Sequence, residues 1–253
     1  MNDEAKQPFM SHLEELRKRL INAFIAIGIG CCCAFYFSED LFEILMKPLT
    51  KELPEGQTLI FTGLTEMFFT YLKTALVAGI LVASPVVFHQ AWKFIAPGLY
   101  QNEKRYVIPF VISSTILFVG GALFGYFLVF PYGFQFFLGF ETETIRAMPS
   151  VKEYFSLATR LLLAFGIVFE LPVVMFFLSK MGVVTVPFLK KNRKYAILLS
   201  FIIAAILTPP DPTTQCMMAV PLIVLFELGI FVARFARPEK KEEKEEEEEK
   251  KEE

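Results

Sequence analysis

Four acids stand where this sequence invites chemistry. Glu170 lies in "AFGIVFELPVVMFF", residues 164–177, near the middle of Leu161–Leu178, a run with no other charged residue. Glu14 and Glu15 lie in "SHLEELRKRL", residues 11–20, among Arg17, Lys18 and Arg19. Glu103 lies in "FIAPGLYQNEKRY", residues 94–106, a stretch that opens on Phe94. Carboxylates displayed at a polar–apolar boundary are suited to receive a partner's cation. Arginine is the natural ligand, because its planar fork bonds a carboxylate through two parallel donors. An acid deep in an apolar run either bonds within its own helix or faces a cavity or a polar group on another protein. Catalysis finds no support, since no paired acids, Ser/His set or metal set falls in these segments. His12 and His89 are isolated, Cys31, Cys32 and Cys33 are consecutive in a hydrophobic block, and Cys216 is distant. That usage predicts neither a metal nor a cofactor.

The elements that carry these acids are read from the hydropathy. The chain has 253 residues, 54% hydrophobic and including 29 Phe, and its apolar residues fall in long blocks rather than in alternation. Blocks of roughly 17–25 apolar residues are membrane-spanning helices, and in lipid only helices or closed barrels satisfy every backbone group. The fold class expected is therefore an all-α membrane protein with six spans, near Leu20–Phe37, Met67–Gln90, Val107–Phe130, Tyr154–Leu178, Tyr195–Leu207 and Met217–Val232. The last two are short against a hydrocarbon core of about 30 Å, so either they extend further or the bilayer thins around them. Pro85, Pro109, Pro172 and Pro221 interrupt spans and are expected to kink them. Gly121 and Gly125 lie four apart in "GGALFG", the spacing of close helix contact, best used in internal packing. Leu41, Phe42, Leu45, Met46 and Leu49 recur at helical spacing in the loop after the first span, which predicts an amphipathic helix over the outer face.

Charge sets the orientation and the boundary of the domain. With the N-terminus inside, twelve Lys and Arg fall in the cytoplasmic segments and four in the outer loops, so both termini are expected in the cytoplasm. Residues 1–237 read as one membrane domain. Residues 238–253, "PEKKEEKEEEEEKKEE", carry 10 Glu and 5 Lys. They lack the apolar residues needed to fold and read as a solvated tail. No cleavable signal is evident, so the first hydrophobic block is expected to stay in the mature protein.

Each acid also has a plainer explanation. Ser11 and Glu14 match a capping box. Glu14–Lys18 and Glu15–Arg19 are ion pairs four residues apart, worth a few tenths of a kcal/mol each. Glu103 follows a Pro-Gly break, where an acid suits the start of a helix. Glu170 costs about 3 kcal/mol at a helix centre, while the Leu, Ile, Val and Phe of its run return roughly 0.3–0.6 kcal/mol each, so the helix still inserts. Pro172 leaves a carbonyl near Val168 without its usual donor, which is one local explanation for the acid. Arg160 and Lys73 sit in spans from which a long side chain can snorkel. Glu227 is a second, weaker intramembrane acid.

Taken in order, "SHLEELRKRL", "FIAPGLY" with "EKR", "AFGIVFELP" and "LTPPDPTTQ" resemble the TatC family, the multispanning subunit of the twin-arginine protein translocase, over residues 8–237. The resemblance implies a curved, cup-like bundle of six spans in the bacterial cytoplasmic (inner) membrane. It also implies recognition of twin-arginine signal peptides on folded cargo, and assembly with TatA- and TatB-type single-span partners for export driven by the proton gradient. By motif position, Glu15 and Glu103 would hold the arginine pair, with Arg17 and Phe94 shaping that site. Glu170 would be the buried acid of the bundle, Thr208 and Gln215 a polar patch for partner helices, and Pro48 part of an outer cap helix. The rival reading is a small-solute or ion transporter using Glu170. It would need several polar groups converging at the midplane and, in many such proteins, an inverted repeat that this sequence lacks.

Overall fold

The computed structural model describes residues 6–54, 57–95, 107–142, 147–208 and 211–236. Glu103, the turn prolines Pro209 and Pro210 and the charged tail lie outside them. Among the described residues there are ten α-helices and no strand. Five helical stretches are long and apolar enough to cross a membrane: His12–Tyr36, Glu66–Ile95, Val107–Leu138, Val151–Lys180 and Pro212–Ala233. The chain divides into two compact units. The first comprises 1–119 and 130–159, the second 120–129 and 160–253.

In the first unit α1 (Lys6–Tyr36) is one unbroken helix that carries the charged segment straight into the span. Ser11 is therefore inside the helix, not at the N-terminal position that a capping box requires. An N-terminal cap has work to do only where the first N–H groups lack partners, and this helix has begun by Lys6. Against α1 packs α3 (Glu66–Ile95). A Cβ on Gly30 would sit 2.7 Å from the Gly79 carbonyl oxygen, and one on Gly79 would sit 2.5 Å from the Cys31 nitrogen. Two glycines facing each other thus let the two backbones touch, which is how membrane helices gain contact where lipid is as apolar as leucine.

Pro85 stays inside α3. It removes the donor for the Leu81 carbonyl, and the Ser84 hydroxyl supplies one at 2.7 Å. The amphipathic helix is α2 (Ser38–Thr50), with Pro48 and Leu49 buried. Phe42 stacks on Phe155 at 4.4 Å, meets Tyr71 edge-on at 5.4 Å, and the Tyr154 hydroxyl donates to the Leu45 carbonyl.

An acid that sequence reasoning passed over fastens the same end of this unit. Glu66, the first residue of α3, is 8% exposed. Its Oε2 accepts from the N–H groups of Thr62 (3.0 Å) and Gly63 (3.2 Å). Its Oε1 accepts from the Ser150 hydroxyl (3.1 Å) and the Lys152 N–H (2.8 Å). One carboxylate thereby ties the turn before α3 to the start of α6 (Val151–Phe169). A backbone bridge between Ile60 and Ser150 runs beside it.

The span Val107–Leu138 is α4 (Val107–Phe124), a π-helical turn at Gly125–Val129 and α5 (Phe130–Leu138). Pro109 falls in the first turn of α4, where a missing N–H costs little. In the second unit, Gly121 and Gly125 do pack internally. A Cβ on Gly121 would lie 2.4 Å from the Phe165 carbonyl oxygen, and one on Gly125 3.1 Å from the Phe165 ring. The remaining helices are α7 (Leu171–Lys180), α8 (Val186–Lys191), α9 (Arg193–Leu207) and α10 (Pro212–Ala233). α10 packs on α7 and α9, with Met175, Leu189, Ile230 and Ala233 at the buried centre. α7 ends at Gly182, whose φ of +71° is the left-handed cap that glycine adopts without strain.

The two short spans resolve differently. α10 has 22 residues, so its span extends well past Met217–Val232, and Pro221 is accommodated inside it. α9 has 15 residues and rises roughly 22 Å, still short of the hydrocarbon thickness.

The glycine contact gives a controlled test. Gly79→Ala should destabilise the protein by about 1–3 kcal/mol through overpacking, lowering Tm in detergent. Gly28→Ala, with nothing within 4 Å of the new methyl, should leave Tm unchanged or slightly raised.

Candidate functional site

Glu15 is half-exposed on α1, and its neighbours define the site. Residues 12, 15 and 19 fall on one helical face at spacings of three and four. Facing them are Gln90 and Phe94, four apart near the end of α3. Arg19 Nη2 donates to Glu15 Oε1 at 3.0 Å, and Arg19 Nη1 donates to Gln90 Oε1 at 3.4 Å. One turn outward the rings of His12 and Phe94 stack at 4.4 Å with 19° between their planes. The result is a carboxylate already holding a guanidinium, bordered by an aromatic pair. Arg17 is exposed and, at two residues from Glu15, lies roughly 200° round the helix. It joins none of these contacts.

Glu15 and Phe94 are thus brought together. Arg17 is not drawn into that cluster, and Glu103 lies outside the described residues. Gln90, Arg19 and His12 were the members sequence reasoning missed. The stretch displays Arg19 as an ion-pair partner and His12 as an isolated ring, and only the approach of α3 makes them neighbours of Phe94.

In the second unit Glu170 occupies a one-residue interruption between α6 and α7. Its N–H bonds to the Ile167 carbonyl at 3.1 Å, and its own carbonyl accepts from Val174 at 2.9 Å. Pro172 follows in the first turn of α7. The acid is therefore placed at a joint in the span rather than along an unbroken helix. Its residue is half-buried and its Oε1 fully so. Phe169, next to it, meets Phe124 at 5.3 Å. Glu227 is paired with Arg193 at 2.7 Å and needs no further explanation.

Thr208 caps the end of α9, its hydroxyl donating to the Ala204 carbonyl at 2.8 Å. Gln215 donates from Nε2 to the Phe201 carbonyl at 3.1 Å, tying α10 to α9. Asp211 caps α10 by accepting the Thr214 N–H at 2.8 Å. The polar groups at this turn are thus used first to hold the turn itself.

The family model described as "Sec-independent protein translocase protein (TatC)" matches residues 11–221. The chain belongs to the TatC family. It is 58% identical over 232 residues to the TatC protein of Desulforapulum autotrophicum, covering 92% of this chain and 86% of that one. It is 40% identical over 235 residues to TatC of Escherichia coli K12, covering 93% and 91%. A crystal structure of the twin-arginine translocase receptor TatC superposes with a TM-score of 0.80 at 46% identity, covering 89% of this chain and 99% of that one. A second, in DDM, gives 0.81 at 45%. TatC membership makes this chain a multispanning component of a protein translocase, and the solute-transporter reading of Glu170 falls away.

The Glu15–Arg19 pair is partly exposed and joins residues four apart on one helix, an arrangement that contributes roughly 0.3–0.5 kcal/mol to stability. Glu15→Gln should therefore shift Tm in detergent by no more than about 2 °C. A fall much larger than that would recast Glu15 as a structural residue.

Proposed function

We propose that this chain is the signal-recognition subunit of a twin-arginine translocase in the bacterial inner membrane, with both termini cytoplasmic. Glu15, together with Glu103, binds the arginine pair of a signal peptide. The observation that carries this reading is the Glu15–Arg19 contact at 3.0 Å. The carboxylate is positioned to hold a guanidinium, and a solvent-accessible pair within one helix is weak enough to be exchanged for an incoming one. Gln90 is placed to take part of the displaced Arg19's hydrogen bonding. The His12–Phe94 pair offers a flat surface on which a second guanidinium can stack. Arg17, on another face, acts on the peptide's surroundings rather than on the arginine pair itself. The resemblance to the crystallised twin-arginine translocase receptor supports the same assignment.

TatA- and TatB-type single-span partners are assigned to the Thr208–Gln215 region and to Glu170. Glu170 suits a partner's polar side chain, because its carboxyl group stands at the joint between α6 and α7 in an otherwise apolar span.

Twin-arginine signal peptide binding to the purified protein, beside a twin-lysine control, tests the recognition site. Selective binding is expected, weakened about tenfold or more in Glu15→Gln, the loss of one charge-assisted hydrogen bond. Equal affinity for both peptides, untouched by the substitution, would overturn the assignment. For Gln215→Ala, reduced co-purification of a single-span partner is expected together with a small fall in Tm, since the bond to the Phe201 carbonyl is lost as well. Intact co-purification with a lowered Tm would make Gln215 a tie between α9 and α10 alone.

A further inference from the structure

At the other end of α3 from Glu15, roughly 36 Å along the helix, a cavity of 660 Å³ opens beside Glu66. It is large enough for a phosphate-bearing headgroup, and its wall carries Lys73, Lys152 and Glu153. Glu66 keeps its charge, because its four donors are neutral and stabilise the carboxylate without cancelling it, but both of its oxygens are engaged and it offers no free acceptor to a ligand. Two ammonium groups and one carboxylate remain.

Lys73 decides what they are for. It lies seven residues, about 10 Å, inside α3 from Glu66 and on the same helical face. It is exposed and forms no ion pair among the described residues. An ammonium that far along a spanning helix faces lipid, and it is satisfied by reaching an anion at the interface. The anion abundant at that depth is the phosphate of a lipid headgroup, and a lining of two lysines and two glutamates, net neutral, matches a headgroup that is itself zwitterionic. Beside Lys73, Phe69, Leu72 and Leu76 form an exposed apolar stripe along α3, a track for acyl chains. Glu153, exposed on the same cavity wall, supplies the opposite charge.

We propose that this cavity binds the headgroup of a phospholipid bearing a primary amine, its phosphate held by Lys73 and Lys152 and its ammonium by Glu153. A quaternary amine has no N–H to give Glu153, so the site discriminates between amine classes by hydrogen bonding.

Native mass spectrometry of the full chain in detergent tests this, with phosphatidylethanolamine and phosphatidylcholine of identical acyl chains as probes. Phosphatidylethanolamine should be retained at about tenfold lower concentration than phosphatidylcholine. The double variant Lys73→Gln/Lys152→Gln should lose retention of both. Glu153→Gln, which keeps an acceptor oxygen but loses the charge, should shrink the preference, and Glu153→Ala, which removes the acceptor, should erase it while leaving phosphatidylcholine retention as it was. All three side chains are exposed, so Tm should not move, and a Tm-neutral double variant that retains both lipids undiminished would overturn the proposal. So would selective retention of phosphatidylglycerol indifferent to Glu153→Gln. Inorganic phosphate at millimolar concentration should compete only weakly. Displacement of the lipid by phosphate alone at matched concentration would identify a soluble-phosphate site instead.

Discussion

A backbone carbonyl that loses its donor inside a membrane has no water to turn to, and that constraint organises much of this fold. At Pro85 the neighbouring Ser84 hydroxyl supplies the missing bond and α3 continues. At Pro172 the span is divided instead, and Glu170 occupies the division. At Gly125–Val129 the helix widens into a π turn before Pro131. Three prolines in or beside spans thus meet three local solutions, and only one of them places an ionisable group in the gap. The acid is there because the backbone is already interrupted.

The acids of this chain separate by what surrounds them rather than by residue type. Glu66 is saturated by donors on both oxygens and behaves as a fastening. Glu227 is matched one-to-one by Arg193. Glu15 is held by a single arginine that remains in reach of solvent. Both single-arginine pairs are open to solvent, Glu227–Arg193 more so than Glu15–Arg19, and what sets Glu15 apart is its surroundings, with Gln90 and the His12–Phe94 ring pair beside it.

Much of this was legible in the chain itself. The spans followed from the length of the apolar blocks, and α2 from the spacing of Leu41, Phe42, Leu45, Met46 and Leu49. Gly121 and Gly125 announced close packing through their four-residue interval. Gly30 and Gly79 did not, because each is part of a contact whose other half lies 49 residues away. Glu66 was hidden for a similar reason: its partners Ser150 and Lys152 come from the far side of two spans. The ends of α10 were read short because its first turn is polar, Asp211 and Thr214 capping a helix whose apolar run begins later. Glu15 and Phe94 were identifiable from motifs, while Gln90 and Arg19 became part of the site only through the packing of α1 on α3.

The continuity of α1 has a mechanical consequence. No break separates Glu15 from Gly30, where α1 rests directly on the backbone of α3. Those fifteen residues rise roughly 22 Å, and α1 is joined to α3 at both ends of the stretch, by the Gly30–Gly79 backbone contact and by the Arg19–Gln90 bond. Glu15 therefore rides on a braced strut rather than on a loop, and the depth of its carboxylate is set by the packing of two spans.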